Sequence, residues 1–278
     1  MTGQKRSDLA GQLSKRLQSV LALAEPVKTV ADVGCDHGYV AISLIQQHKA
    51  SRVIAMDVRK GPLDRAKGHI IQYGMKEFIT TRLSDGVEAL SPGEADGLIC
   101  AGMGGKLMVG ILERGAAVIE QMQELILQPQ SELSFVREWL RNHAFSIDEE
   151  CMVCEDDKFY PMFRVKPEKM LAERDSEKTI AEKTTEETIN RLASAGMKKT
   201  ATQQRVEDRY GPLLLQRQDP VLYRFLQKER EVYTTILQEL EQTGKDTENT
   251  ARRRAQLLEY LQDIDYAQMH YDADRSTI

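Results

Sequence analysis

The sequence predicts an α/β fold: a doubly wound, mostly parallel sheet ending in an antiparallel hairpin, followed by a C-terminal helical, coiled-coil-like domain. Three observations carry this expectation. Short apolar runs alternate five times with helical periodicity between residues 29 and 142. Two more strand-like runs, 145–154 and 159–165, flank the turn Glu155-Asp156-Asp157-Lys158. Beyond Pro167 large apolar residues thin out, then return at the spacing of paired helices. The composition change divides the chain into expected domains 1–166 and 167–278.

The first expected element is a basic amphipathic helix over 5–24. Leu9, Leu13, Leu17, Val20 and Leu21 share one face, and Lys5, Arg6, Lys15 and Arg16 lie off it. Strands follow at about 29–33, 52–57, 79–83, 97–101 and 124–128, with helices at about 39–47, 61–73, 105–120 and 131–142. The strands are continuous apolar runs, as a parallel sheet covered on both faces requires. Residues 168–209, rich in Lys, Glu, Thr, Ala and Arg, read as an exposed helix or a connector. From 220 to 263 a helical hairpin is expected, its apolar stripe running through Leu222, Phe225, Leu226, Val232, Tyr233, Ile236, Leu237 and Leu240, breaking near Gly244, and resuming at Ala255, Leu257, Leu258, Leu261 and Ile264. A pair of helices within one chain, and hence a monomer, is the simpler reading of so short a stripe.

Charge narrows the function. The 278 residues carry 38 Lys and Arg against 43 Asp and Glu, which disfavours a nonspecific nucleic-acid binder. The first 67 residues nevertheless hold 11 basic and 6 acidic side chains. A basic front on an acidic protein is compatible with RNA, since only the contact surface must neutralise phosphates. No apolar run approaches the roughly 20 residues that span a bilayer, and no hydrophobic signal core follows Met1, so a cytoplasmic protein without membrane contact is expected. Cys151 and Cys154 have metal-ligand spacing but fall in a probable strand, where positions i and i+3 face opposite sides. No metal site is expected.

The segment Asp32-Val33-Gly34-Cys35-Asp36-His37-Gly38-Tyr39 reads as a strand, a glycine-bearing turn and a helix start. The second strand ends in Asp57, 23 positions after Gly34. Glycine lets the backbone approach a ligand, and a carboxylate at the next strand tip can bind a ribose diol. A dinucleotide would want G-x-G-x-x-G and bare N–H groups; this turn instead carries an acid. S-adenosylmethionine has no phosphate and bears a sulfonium and an ammonium group, so an acidic turn suits it. Asp36 is the candidate for that ammonium, and His37 for the carboxylate or a helix cap. Ser84-Asp85-Gly86, after the third strand, places an acid where an adenine amine would lie, although Asp-Gly is also an ordinary turn pair. Ala101-Gly102-Met103-Gly104-Gly105, after the fourth, is a glycine loop without a side-chain acceptor of its own. That favours a methyl acceptor with an in-plane lone pair, such as a ring nitrogen.

Taken with Leu13-Ser14-Lys15-Arg16-Leu17, Gly61-Pro62 and Leu127-Gln128-Pro129, these motifs resemble the bacterial tRNA (adenine-22-N1)-methyltransferases, over residues 10–166 most closely. The resemblance implies a Rossmann-like domain, S-adenosylmethionine as cofactor, and methylation of an adenine N1 in the D-arm region of tRNA. The implied cofactor residues are Gly34, Asp36, His37, Asp57, Val58, Ser84, Asp85, Gly86, Ala101, Gly102 and Met103. Lys5, Arg6, Lys15, Arg16, Arg59, Lys60, Gly104 and Gly105 are candidates for the tRNA. Asp36 is also the catalytic candidate, because methylation leaves a cationic adenine that a carboxylate would stabilise. Three alternatives stay open: a methyltransferase for a small molecule or protein, a nicotinamide-dependent oxidoreductase, and a catalytically silent RNA-binding scaffold.

Overall fold

The computed structural model describes residues 9, 13–169, 199–242 and 247–272. The chain divides into two compact units, Met1–Lys183 and Thr184–Ile278, a boundary further along than the expected one at Pro167. In the first unit, helix α1 (Lys15–Leu23) precedes five alternating strands and helices. These are β1 (Val27–Val33), α2 (Tyr39–Gln46), β2 (Ala50–Asp57), α3 (Lys60–Gln72), β3 (Ile79–Leu83), β4 (Gly97–Met103), α4 (Gly105–Arg114), α5 (Ala116–Ile119), β5 (Glu124–Pro129) and α6 (Leu133–Asn142). The hairpin β6 (Phe145–Glu155) and β7 (Lys158–Pro167) follows. Of the helix expected over 5–24, residues 5–8 and 10–12 lie outside the described residues; Ser14 caps the rest, its hydroxyl accepting from the Leu17 N–H.

The seven strands form one sheet in the order β3-β2-β1-β4-β5-β7-β6. The first five are parallel, and β7 joins β5 antiparallel. Alternate residues of each strand feed two cores. Ala31, Ile54, Leu98 and Leu125 pack under α4, α5 and α6. Val30, Val53, Ile99 and Ile126 pack under α1, α2 and α3. This is the three-layer arrangement that near-continuous apolar strands require.

The helix expected over 105–120 is broken at Gly115. A Cβ there would lie 2.0 Å from Val87 Cγ2, so the chain turns where only glycine fits against the neighbouring loop. One polar pair is sealed into this unit. Arg137 of α6 and Glu150 of β6 are 3% and 0% exposed, with Nη2 and Oε1 3.0 Å apart and the guanidinium over the Phe163 ring.

The second unit holds α7 (Ala201–Tyr210), α8 (Pro212–Gln216), α9 (Pro220–Gln242) and α10 (Glu248–Asp272). The expected helical pair is α9 and α10, and α10 runs past the predicted end at 263. Leu222, Leu226, Leu257 and Ile264 are buried between the helices, whereas Val232 and Leu258 are exposed and leave the predicted stripe. Arg209 is held over the rings of Tyr260, Tyr210 and Tyr233, and Arg205 makes a forked contact with buried Asp263. Among the described residues no helix is long and apolar enough to cross a membrane.

The buried pair gives a stability test. Glu150→Leu removes the buried carboxylate facing the Arg137 guanidinium and is expected to cost about 3–5 kcal/mol in urea unfolding, and adding Arg137→Met should recover most of that loss. Equal losses in the single and double variants would show that packing, not charge, sets the cost.

Candidate active site

Strands β1 and β4 are neighbours, yet α2 and α4 leave them for opposite faces of the sheet. The carboxyl ends of the strands therefore open onto a crevice. A cleft of about 530 Å³ occupies it, and all eleven cofactor candidates, Gly34, Asp36, His37, Asp57, Val58, Ser84, Asp85, Gly86, Ala101, Gly102 and Met103, line it.

The β1–α2 turn is fixed from below. The N–H groups of Gly34 and Cys35 both donate to the Met56 carbonyl, at 2.8 and 2.9 Å, so the turn is tied to the end of β2. Gly34 has φ +76°, and a Cβ there would meet Met103 Cε at 2.5 Å. The positive φ is what favours glycine here, since the Met103 methyl at the end of a flexible side chain could move aside. Asp57 is 5% exposed, and its Oδ1 accepts the Arg59 N–H at 2.8 Å. The Ser84 hydroxyl is spent on its own loop, donating to the Gly86 carbonyl and accepting from the Ala89 N–H. Asp85 is paired with Arg114 at 3.2 Å.

Asp36, the catalytic candidate, is half exposed and ion-paired with Arg65 of α3 at 3.0 Å. His37 Nε2 stands 3.5 Å from its other oxygen. Besides Asp57, a second acid lies buried in the cleft: Asp32, 4% exposed, with no hydrogen-bond partner for Oδ2. Burial pushes its pKa up to about 7, partly offset by the Ala41 N–H and reinforced by the nearby Asp57 charge. An acid interrupting the apolar run Thr29–Val33 was the signal for it. The same burial keeps the Cys35 and Cys100 thiols protonated, the latter with a pKa raised to about 12.

The tRNA candidates separate. Arg16 and Arg59 line the cleft. Lys15 is exposed and outside it, and Lys60 pairs with Asp64 on the surface of α3. Gly104 and Gly105 are packing positions: a Cβ would meet Ser131 Oγ at 3.1 Å and the Ser131 carbonyl at 2.5 Å, respectively. Lys5 and Arg6 lie outside the described residues. The glycine loop does have polar neighbours, because the β5–α6 connection brings Gln130 into the cleft and sets Ser131 and Glu132 against Gly104. No feature of the loop's own sequence could have shown this.

The Asp32 environment predicts a pH effect. Its folded pKa, about 7, exceeds the ordinary aspartate value of 3.8, so the unfolded chain releases this proton first as pH rises. Its contribution to ligand-free stability thus declines between about pH 4 and pH 7 and is level above. Asp32→Asn is expected to unfold at higher urea than the parent at pH 8 and at equal urea near pH 4. A pH-independent difference would contradict this assignment.

Residues 13–163 match the methyltransferase-domain family. A tRNA (adenine(22)-N(1))-methyltransferase of Bacillus subtilis is 38% identical over 149 residues, which are 54% of this chain and 63% of that protein. The match thus spans less than two-thirds of that relative. The solved B. subtilis m1A22 tRNA methyltransferase shows 28% identity and a TM-score of 0.73 over 92% of this chain and 98% of that one. A Streptococcus pneumoniae protein solved in complex with S-adenosyl-L-methionine shows 28% identity and a TM-score of 0.71 over 92% and 99%. The cleft, the strand order and these likenesses agree: the chain belongs to the methyltransferase-domain family and, within it, is similar to the bacterial tRNA (adenine-22-N1)-methyltransferases.

Proposed function

We propose that this protein transfers a methyl group from S-adenosylmethionine to N1 of the adenine at position 22 of tRNA. The observation that carries the cofactor reading is the state of the β1–α2 turn. Its first two amides are already donated to the Met56 carbonyl, and its side chains include Asp36, so it offers no cradle for a pyrophosphate. That removes the main support for a nicotinamide enzyme. The acids that remain suit a cationic nucleoside. Asp57 would take the ribose diol, Asp85 the adenine amine, and the unpartnered oxygen of Asp32 the ammonium group. Asp36, already satisfied by Arg65, has the weaker claim to that ammonium. An ammonium beside Asp32 would return its carboxyl to the ionised form.

When bound, the cofactor supplies an electrophilic methyl group on its sulfonium. The chain's own part is largely positioning. Adenine N1 carries a lone pair at neutral pH, so no side chain needs to remove a proton. The Gly34 and Gly102 turns fix the floor on which donor and acceptor meet, and holding two reactants in line accounts for much of such a rate. Asp32, Asp36 and Asp57 give the cleft a negative potential that favours the positive charge arriving on the adenine.

The second unit fits the RNA part of this reading. Arg252-Arg253-Arg254 form a cationic run in the second turn of α10, Arg252 paired with Glu248 and Arg253 donating to Gln256, and this run is the candidate of the second unit for tRNA phosphates. Contact there would follow tRNA shape more than sequence. A monomer working in the cytoplasm is the form this activity calls for.

Incubation with methyl-labelled S-adenosylmethionine and unmodified tRNA, followed by nucleoside analysis, tests the reading. The expected product is 1-methyladenosine, reduced about 100-fold or more in Asp57→Ala by loss of two charge-assisted hydrogen bonds. Label in a protein or small molecule but not in tRNA would redirect the assignment to another methyl acceptor.

A further inference from the structure

Along the carboxyl edge of the sheet, the tips of β3, β2, β1 and β4 carry Asp85, Asp57, Gly34 and Gly102 in that spatial order. The next tips, of β5 and β7, lie on the far side of Gly102 from the nucleoside acids. One cation stands there. Arg16 of α1 donates from Nη1 to Gln128 Oε1 at 2.9 Å, its Cζ is 5.7 Å from the centre of the Tyr160 ring, and a Cβ on Gly102 would lie 3.5 Å from Nη1. Among the described residues no carboxylate forms an ion pair with it, unlike Arg59, Arg65 and Arg114 around the same cleft.

Its anchor is unusual. Gln128 is 0% exposed, one residue before the end of β5, and its amide nitrogen has only a long contact, 3.4 Å, to the Pro129 carbonyl. A buried polar side chain is expensive to keep unless its hydrogen bonds matter. A neutral amide also differs from a carboxylate in one decisive way: it orients a guanidinium without cancelling its charge. The remaining N–H groups of Arg16 keep a full positive charge at the cleft.

We infer that Gln128 is the positioning residue for Arg16, and that the guanidinium it holds takes a backbone phosphate of the tRNA nucleotide being methylated. This rests on the methyl-transfer reading above and adds to it a phosphate site on the acceptor side of the methyl group. A glutamate at 128 would keep the hydrogen bond and remove the net charge, which separates the electrostatic role from a merely structural one.

The test compares Gln128→Glu, Gln128→Met and Arg16→Lys with the parent protein in tRNA methylation, tRNA binding and S-adenosylmethionine calorimetry. Loss of one phosphate contact is expected to raise the tRNA KM about tenfold in Q128E and to cut the slope of log affinity against log salt by about 0.7–0.9. Cofactor affinity should stay at the parent value. Q128M, which frees the guanidinium without neutralising it, should lower kcat with little change in the salt slope, and R16K should resemble it. Weakened cofactor binding with unchanged tRNA KM would assign Arg16 to the cofactor carboxylate and overturn the inference. A lower melting midpoint with unchanged kinetic constants would do the same. Binding without turnover separates the two readings: a parent that binds tRNA with a salt slope reduced in Q128E, yet transfers no methyl, sustains the phosphate site and refutes the reaction.

Discussion

Neighbouring strands β1 and β4 send their helices to opposite faces of the sheet, and every candidate functional group depends on the crevice this leaves. Parallel register then decides what enters it. Asp32 pairs with Ile99 and Ala101 with Gln128, so the two buried polar side chains at the strand ends share the face covered by α1 and α2. From that face Arg16 can reach the sheet. The opposite face carries the core under α4 to α6 and holds Met103 and Ile111 against Gly34 and Gly86.

The electrostatics of the crevice are those of a site prepared for a cation. Asp32 is desolvated with one oxygen unpartnered, and Asp57 stands nearby with one oxygen committed to a backbone amide. Such an arrangement destabilises the ligand-free protein and is relieved when a positive group enters. The pairs Asp36–Arg65 and Asp85–Arg114 lie at the exposed rim, where solvent screens them and their contribution to stability is small. The division between a buried, unsatisfied acid and satisfied rim acids sets Asp32 beside Asp36, the residue to which the sequence assigned the ammonium contact and the catalytic role, as the second candidate for that ammonium.

Much of the catalytic domain was legible because its signals are local. Buried parallel strands are apolar runs, the Gly34 turn and Asp57 sit at a fixed spacing, and the hairpin announces itself through Glu155-Asp156-Asp157-Lys158. What escaped was tertiary. Gly115 breaks a helix whose periodicity continues through it, because Val87 occupies the space a side chain would need. Gly104 and Gly105 read as an open substrate loop, but Gly104 faces the Ser131 and Glu132 side chains and Gly105 the Ser131 and Glu132 carbonyls. The Arg16–Gln128 contact joins residues 112 positions apart, and nothing in either segment shows it. Asp32 was visible as an acid in an apolar strand, yet its isolation depends on what the fold stacks around it.

The central claim is that the sheet edge is divided, with the nucleoside over β1 to β4 and the methyl acceptor beyond Gly102. A crystal structure of the protein with S-adenosylhomocysteine tests it most directly. Ribose hydroxyls are expected on Asp57, the adenine toward Asp85, the ammonium on Asp32, and the thioether sulfur between Gly34 and Gly102 on the side facing Arg16. A ligand bound in the reverse direction, or with its carboxylate on Arg16, would contradict it.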